Sequence, residues 1–194
     1  MALAVTAYGT KVLRKVCDEI TPEYEGLNDL IDNMWETMYE AGGVGLAAPQ
    51  VNKAIRLFVI DTTQVYDSID DDEAKAELFE EETGFKEVFI NAEIVDESDE
   101  WWTDQEGCLS LPDLNGEVER PWSIEIEYYD RNFNKQTKTF SGYNARVIQH
   151  EYDHTEGILY IDHVSGISKR LMKNKLNQIA EGKVSPKYRM RFAK

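Results

Sequence analysis

The chain has 194 residues and a net charge of −16, with 42% hydrophobic and 30% charged residues, as expected of one globular domain. It has no apolar run near the roughly 18 residues needed to span a bilayer, and no basic residues precede the short apolar stretch after Met1. We therefore predict neither a membrane partner nor a secretory signal. Two cysteines, Cys17 and Cys108, are too few for a disulfide framework and favour a cytoplasmic location.

The predicted elements begin with an extended segment over the first twenty residues. A helix follows from Leu27 to Met38, because apolar residues recur there at helical spacing. Residues 62–86 are acidic and weakly patterned, and we interpret them as a surface insertion with one short helix near 72–82. Residues 101–117 are predicted to form a loop around Cys108. The other predicted elements are strands at 55–61 and 87–97, a hairpin at 122–143, a central helix at 141–157 and a last helix at about 168–181.

The glycine-containing stretch GVGLAAPQ, residues 43–50, lies between the first helix and a strand. A phosphate-binding loop runs in the opposite order, from a strand through glycines to a helix. We therefore interpret this stretch as backbone that comes close to a ligand. It ends in Gln50, whose side-chain amide can donate hydrogen bonds.

The central helix contains HEYDH at 150–154, which places His150 and His154 one turn apart on the same face. Glu151 projects beside them. Two neutral imidazoles can hold a metal ion, and the carboxylate can take and return a proton. A buried histidine can equally be a hydrogen-bonded structural residue, but the pair with a glutamate between favours ligands.

Two histidines leave a catalytic metal site incomplete, because such sites use three protein ligands and one open position. An extended zinc-peptidase signature would have a histidine at position 160, which is a tyrosine, so His163 and Glu181 are the downstream alternatives. A purely structural site would have a fourth protein ligand. Upstream, Cys108 lies in a glycine-containing loop, and its thiolate would suit zinc or iron.

Three stretches together, GVGLAAPQ at 43–50, EGCLS at 106–110 and QHEYDH at 149–154, resemble the signature motifs of the peptide deformylase family in order and spacing. YGTKVLRK near the start extends the resemblance over nearly the whole chain. It implies one α+β domain, residues 1–194, with β-sheets packed around a central metal-binding helix and a C-terminal helix. The implied activity is removal of the N-formyl group from N-formylmethionyl nascent peptides, with release of formate. The implied cofactor is Fe²⁺, replaceable by Zn²⁺, Ni²⁺ or Co²⁺, and a monomer is expected.

The resemblance also assigns roles to individual residues. It implies a general base and acid, Glu151, and an oxyanion site made by Gln50 and the N–H of Leu109. The metal ligands would be Cys108, His150 and His154. The substrate would lie along Gly45, with Gly43, Val44, Glu106, Gly107, Arg146 and Val147 around it. One position departs from the family pattern: Asn115 stands where many members have an arginine that holds the substrate backbone.

Charge is distributed unevenly along the chain. Residues 166–194, here called the basic tail, contain nine Lys and Arg and one acidic residue, a net +8 that leaves −24 on residues 1–165. The acidic body argues against broad nucleic-acid binding. The predicted helix of the tail has one apolar arc, Ile167, Leu171, Met172, Leu176 and Ile179. The family resemblance implies a partner, the ribosome near the peptide exit, and we hypothesise that the basic tail docks there, since cationic side chains bind phosphates.

Overall fold

The computed structural model describes residues 1–193 and has the predicted α+β fold. Lys194, which belongs to the basic tail, lies outside the described residues. The helices are α1 (Leu27–Glu40), α2 (Thr63–Ser68), α3 (Asp72–Phe79), α4 (Gly142–Thr155) and α5 (Gly166–Ala180). The strands are β1 (Val5–Thr6), β2 (Gly45–Ala47), β3 (Leu57–Asp61), β4 (Lys86–Glu97), β5 (Trp101–Cys108), β6 (Leu111–Pro121), β7 (Ser123–Tyr129), β8 (Lys135–Ser141) and β9 (Met190–Arg191). Within residues 1–193 no helix is both long and apolar enough to cross a membrane.

A five-stranded antiparallel sheet in the order β2-β3-β4-β7-β8 separates two helices. All five residues of β3 are buried, because side chains alternate between two covered faces. Leu57 and Val59 pack into the same cluster as α1, whereas Phe58 and Ile60 pack into the cluster that contains α4. The sheet therefore supports α4 from behind.

The predicted helix at 27–38 and the predicted central helix are both confirmed. In α1 the buried residues recur with helical spacing, at Leu27, Leu30, Ile31, Met34 and Met38. In α4 every residue except Tyr143, Tyr152 and Asp153 is buried. A helix covered on nearly all sides holds its side chains in fixed positions, as a catalytic site requires.

Residues 62–86, predicted to be a surface insertion with one short helix, are mostly exposed or half-buried and contain α2 and α3, but they also pack against the central helix. Phe79 at the end of α3 is completely buried and packs against Tyr66 and Tyr143. Glu82 accepts hydrogen bonds from the Ser141 amide at 2.6 Å and from Asn144 Nδ2 at 2.7 Å. A carboxylate there stabilises the N-terminus of α4 by satisfying free donors and by opposing the helix dipole. The insertion therefore helps to fix the central helix.

The predicted loop at 101–117 is wrong, because these residues form most of a long hairpin, β5 with β6. The turn lies at Leu109 and Ser110. The polar stretch from Thr103 to Glu106 lacks the hydrophobic alternation by which strands are recognised. Its one fully buried residue is Glu106, which is compensated by ion pairs from distant residues.

The basic tail consists of α5 and an extended return to the start of the chain. Met172, Leu176 and Ile179 are buried in a cluster that includes Leu111 and Val118 of β6. Two other residues of the predicted apolar arc are not covered. Ile167 is 74% exposed and Leu171 is 81% exposed. Leu171 precedes Met172 by one residue and so points about 100° away around the helix. The predicted arc was wider than the face that packs.

Candidate active site

Three metal-ligating side chains converge between the end of β5 and the face of α4. Sγ of Cys108 lies 3.3 Å from Nε2 of His154. With a ring nitrogen of His150, these donor atoms all lie within 4.8 Å of one another. The fold therefore brings together the three side chains that the sequence proposed as ligands.

His150 is oriented by a buried carboxylate. Its Nδ1 lies 2.9 Å from Oε2 of Glu106, which leaves Nε2 to face the other ligands. Arg120 donates to both oxygens of Glu106, at 2.6 and 2.9 Å, and Arg146 donates to Oε1 at 2.8 Å. Burial raises the pKa of Glu106, but the bonds from Arg120 and His150 outweigh it and leave the pKa well below its usual range. Glu106 is therefore a carboxylate that fixes the His150 ring.

Glu151 follows the ligand His150 in α4 and is only 4% exposed. Burial raises the pKa of Glu151 to about 7, so the group can both take and release a proton near neutrality. Within residues 1–193 no protein group bonds its buried Oε2. A buried oxygen without a protein partner is rare, and this one belongs to a residue that lines the cavity beside the ligands.

Gln50 connects the glycine-containing stretch to the metal ligands. Its Oε1 accepts a hydrogen bond from the Ala47 amide at 2.8 Å, which fixes the orientation of the side chain. Its Nε2 lies 3.3 Å from both Cys108 Sγ and Ser110 Oγ. The amide donor therefore lies beside the metal-binding cysteine and the turn that carries Leu109, where an oxyanion would need donors.

Close approach explains two of the glycines. A Cβ on Gly45 would lie 2.5 Å from Oε1 of Glu151, so only glycine lets the β2 backbone reach this carboxylate. A Cβ on Gly43 would lie 2.8 Å from the Leu109 side chain. The sequence prediction of backbone brought close to a ligand site therefore agrees with the position of β2.

A cavity of about 340 Å³ opens beside the ligands. Every residue that the sequence assigned to the site lines this cavity, except His154. The lining residues from that set are Gly43, Val44, Gly45, Gln50, Glu106, Gly107, Cys108, Leu109, Arg146, Val147, His150 and Glu151. Tyr143, Leu114 and Asn115 also line it. The guanidinium of Arg146 is held by Glu106, the Val118 carbonyl and the Trp102 carbonyl, so it forms a fixed wall.

The donor set fits a divalent metal ion. In a tetrahedral site with usual bond lengths, sulfur and nitrogen donors lie about 3.6 Å apart, close to the 3.3 Å between Cys108 and His154. Burial lowers the pKa of His154 well below its usual value and keeps the imidazole neutral, as a ligand must be. Burial also lowers the pKa of His150, but the opposing effects of Cys108 and Glu106 are larger and leave this pKa well above its usual value. The thiolate and carboxylate thus favour positive charge at this centre.

Comparison with known proteins agrees with this arrangement. Residues 2–170 match the family model for polypeptide deformylase. Peptide deformylase of Flavobacterium psychrophilum is 51% identical over 192 residues, which cover 99% of this chain and 97% of that protein. The chain belongs to the peptide deformylase family. Peptide deformylase of Salinibacter ruber is 43% identical, over 97% of this chain and 93% of that one.

Solved structures of the family have the same fold. Peptide deformylase of Plasmodium falciparum is 34% identical, with a TM-score of 0.78 over 92% of this chain and 95% of that one. Peptide deformylase of Legionella pneumophila is 30% identical, with a TM-score of 0.78 over 94% and 98%. The chain is therefore a hydrolase of the metal-dependent peptide deformylase family.

The alternatives raised by the sequence do not match the peptide deformylase site. A zinc peptidase would use His163 or Glu181 as the third metal ligand, but His163 pairs with Asp153 at 2.8 Å. A structural site required a fourth ligand. Among residues 1–193 no further His, Cys, Asp or Glu joins Cys108 and the two histidines. Three ligands and a neighbouring cavity are the pattern of a catalytic site.

Sequence reasoning missed Arg120, which bonds Glu106 and also donates to Asp153 at 2.9 Å. Arg120 is 4% exposed. It lies 14 residues beyond Glu106 and 33 before Asp153, so no local spacing connects them. The only signal in the sequence was an arginine at an inward position of a strand. A buried arginine requires acidic partners.

Proposed function

We propose that this enzyme removes the N-formyl group from the N-terminal methionine of newly synthesised proteins, in the cytoplasm, and releases formate. The observation that carries the proposal is the three-ligand centre of Cys108, His150 and His154 beside Glu151, at the base of the cavity. Membership of the peptide deformylase family supports the substrate class. The two cysteines, neither of them in a disulfide, support a reducing compartment.

We propose that Cys108, His150 and His154 hold one Fe²⁺ ion in the cell, with Zn²⁺, Ni²⁺ or Co²⁺ as replacements. Thiolate and imidazole donors suit iron- and zinc-class ions, which supports this choice. When bound, the ion would polarise the formyl carbonyl and make a water molecule more acidic. Elemental analysis of protein purified without oxygen tests the proposal, and one iron per chain is the expected result.

The chain's own groups divide the remaining work. Glu151 accepts the proton of the attacking water and returns it to the leaving amine, which its pKa of about 7 permits. Gln50 Nε2 and the Leu109 N–H stabilise the negative oxygen that develops on the formyl carbon; one such donor contributes about 3 kcal/mol. Gly45 lets the substrate backbone run beside Glu151.

The lining of the cavity supports selection of methionine. Val44 and Val147 supply apolar walls, and the fixed guanidinium of Arg146 closes one side. An unbranched thioether chain fits such a pocket, because it adapts to irregular apolar surfaces. Asn115 lies over Gly107, with its Oδ1 at 2.5 Å from where a Cβ on that glycine would be. We expect weak selection beyond the first substrate residue, since Asn115 is shorter than arginine.

The deciding experiment measures formate release from a formyl-Met dipeptide and from its acetyl analogue. Rapid turnover of the first and little of the second is expected. Glu151→Gln should retain the metal and lose at least about 100-fold in kcat, because the proton acceptor is gone. Cys108→Ser is the matched variant that should weaken metal binding instead. Cleavage of an internal peptide bond by the wild type would refute the assignment.

We also propose that the basic tail docks on the ribosome near the peptide exit. Lys169, Arg170 and Lys173 are exposed on α5, which supports a cationic surface on an otherwise acidic protein. Co-sedimentation with ribosomes should weaken steeply as salt increases. Lys169/Arg170/Lys173→Glu should abolish co-sedimentation and leave turnover of a free dipeptide unchanged. Equal co-sedimentation by this variant would contradict the proposal.

A further inference from the structure

The two ends of the chain meet beside the turn that carries the metal-binding cysteine. Strands β1 and β9 pair in parallel, and the amides of Val5 and Ala7 donate to the carbonyls of Arg189 and Arg191, both at 2.8 Å. We call residues 183–193 the C-terminal strap. Along the strap the side chains alternate, with Lys187, Arg189 and Arg191 exposed and Val184, Tyr188, Met190 and Phe192 partly buried.

The inward side of the strap contacts the turn directly. The hydroxyl of Tyr188 donates to the carbonyl oxygen of Leu109 at 2.7 Å, across 79 residues of sequence. The amide of Tyr8 donates to the next carbonyl, that of Ser110, at 2.9 Å. On the opposite side Gln50 reaches Ser110 Oγ at 3.3 Å. The turn is therefore held from two sides by residues far away in the chain.

These bonds occur where the hairpin itself gives no support. The β5–β6 ladder is regular up to Gly107 and then shifts register, so that Cys108 pairs with Leu111. Leu109 and Ser110 form the turn between them and lie outside the ladder. Their backbone orientation depends on bonds from elsewhere, because a two-residue turn alone leaves these carbonyls free.

We propose that Tyr188 is a positioning residue, which holds the Leu109 carbonyl so that the Leu109 N–H points at the developing oxyanion. The inference rests on the proposed function, because that function makes the Leu109 N–H an oxyanion donor. An oxyanion donor contributes only when its position is fixed to within about 0.5 Å and its direction to within about 10–20°. The peptide that carries the Leu109 N–H is attached to Cys108, which pairs with Leu111 in the ladder. The bonds on the Leu109 and Ser110 carbonyls restrict rotation on the other side of the Leu109 Cα.

The test compares Tyr188→Phe with the wild type in metal-loaded, full-length protein. The ring remains, so the strap keeps its packing and only the hydroxyl bond is lost. We expect kcat on a formyl-Met dipeptide to fall about 10-fold with KM and metal content unchanged, because the lost contribution arises in the transition state. Hydrogen exchange in residues 107–111 should become faster.

Tyr128→Phe is the matched control, since it removes a hydroxyl bond to Glu87 (3.3 Å) from a tyrosine ring on β7. It should lower the urea midpoint to a similar extent and leave kcat and exchange at 107–111 unchanged. Wild-type kcat and exchange in Tyr188→Phe would overturn the proposal. So would a change confined to KM or metal content, which would assign the hydroxyl to substrate binding or to Cys108.

The exchange measurement also separates this inference from the proposed function. If the wild type released no formate, the proposed function would fail. Slower hydrogen exchange at 107–111 in the wild type than in Tyr188→Phe would still show that the strap holds the turn. If the wild type is active and the exchange is the same in both proteins, only the positioning role fails.

Discussion

Replacing Glu106 by glutamine tests whether the buried ion-pair network supports both stability and the metal centre. Glutamine keeps the size of the side chain but removes the negative charge that pairs with Arg120 and Arg146. Both guanidiniums are buried, at 4% and 3% exposure, so water cannot replace the lost carboxylate. Arg120 retains Asp153 as a partner at 2.9 Å, whereas Arg146 retains two backbone carbonyls and the face of the Trp102 ring at 4.1 Å, but no carboxylate.

Breaking one side of a buried ion pair costs about 3–5 kcal/mol. Because Arg120 keeps a second carboxylate, we expect the lower end, about 3 kcal/mol, for the loss in free energy of unfolding. The Nδ1 of His150 also loses its charged acceptor at 2.9 Å. Loss of such an orienting partner weakens metal binding by about 10- to 100-fold.

Two measurements check these magnitudes: urea unfolding of the metal-free proteins and competition for Zn²⁺ with a chelator. Glu117→Gln is the matched control, because Glu117 is exposed on the neighbouring strand β6. It should change the free energy of unfolding by no more than about 0.5 kcal/mol and leave Zn²⁺ affinity unchanged. If Glu106→Gln behaved like Glu117→Gln in both assays, the network would contribute neither stability nor ligand orientation.

Three further substitutions examine the supports of the site. Phe79→Ala should lower the free energy of unfolding by about 3–5 kcal/mol in urea, since it empties a buried position, whereas the exposed Leu171→Ala should change it little. Glu82→Gln should cost about 1–2 kcal/mol, because the N-terminus of α4 loses a charged acceptor; an unchanged midpoint would show that the insertion does not support α4. Gly45→Ala should retain the metal and reduce kcat by about 100-fold, since its Cβ would displace the Glu151 carboxylate; wild-type kcat would mean that the β2 backbone moves aside.

Local chemistry made much of the site predictable. The spacing of His150 and His154 depends only on helical geometry, so the sequence could place them on one face with Glu151 beside them. The same holds for α1 and for β3, where hydrophobic period and segment length depend on neighbouring residues. Cys108 became a candidate ligand because of its residue type and its glycine-containing surroundings.

The tertiary structure decided how these pieces are held. Glu106 joins residues 14, 40 and 44 positions away, and the tyrosine bond to Leu109 spans 79. A polar strand such as β5 shows no alternation of hydrophobic residues. Its buried group is a carboxylate, which charged side chains from distant segments stabilise in place of apolar neighbours. The burial of Phe79 likewise depends on where the chain returns to α4. Local spacing, residue type and short motifs therefore identified the reactive groups, whereas contacts between distant segments determined their orientation.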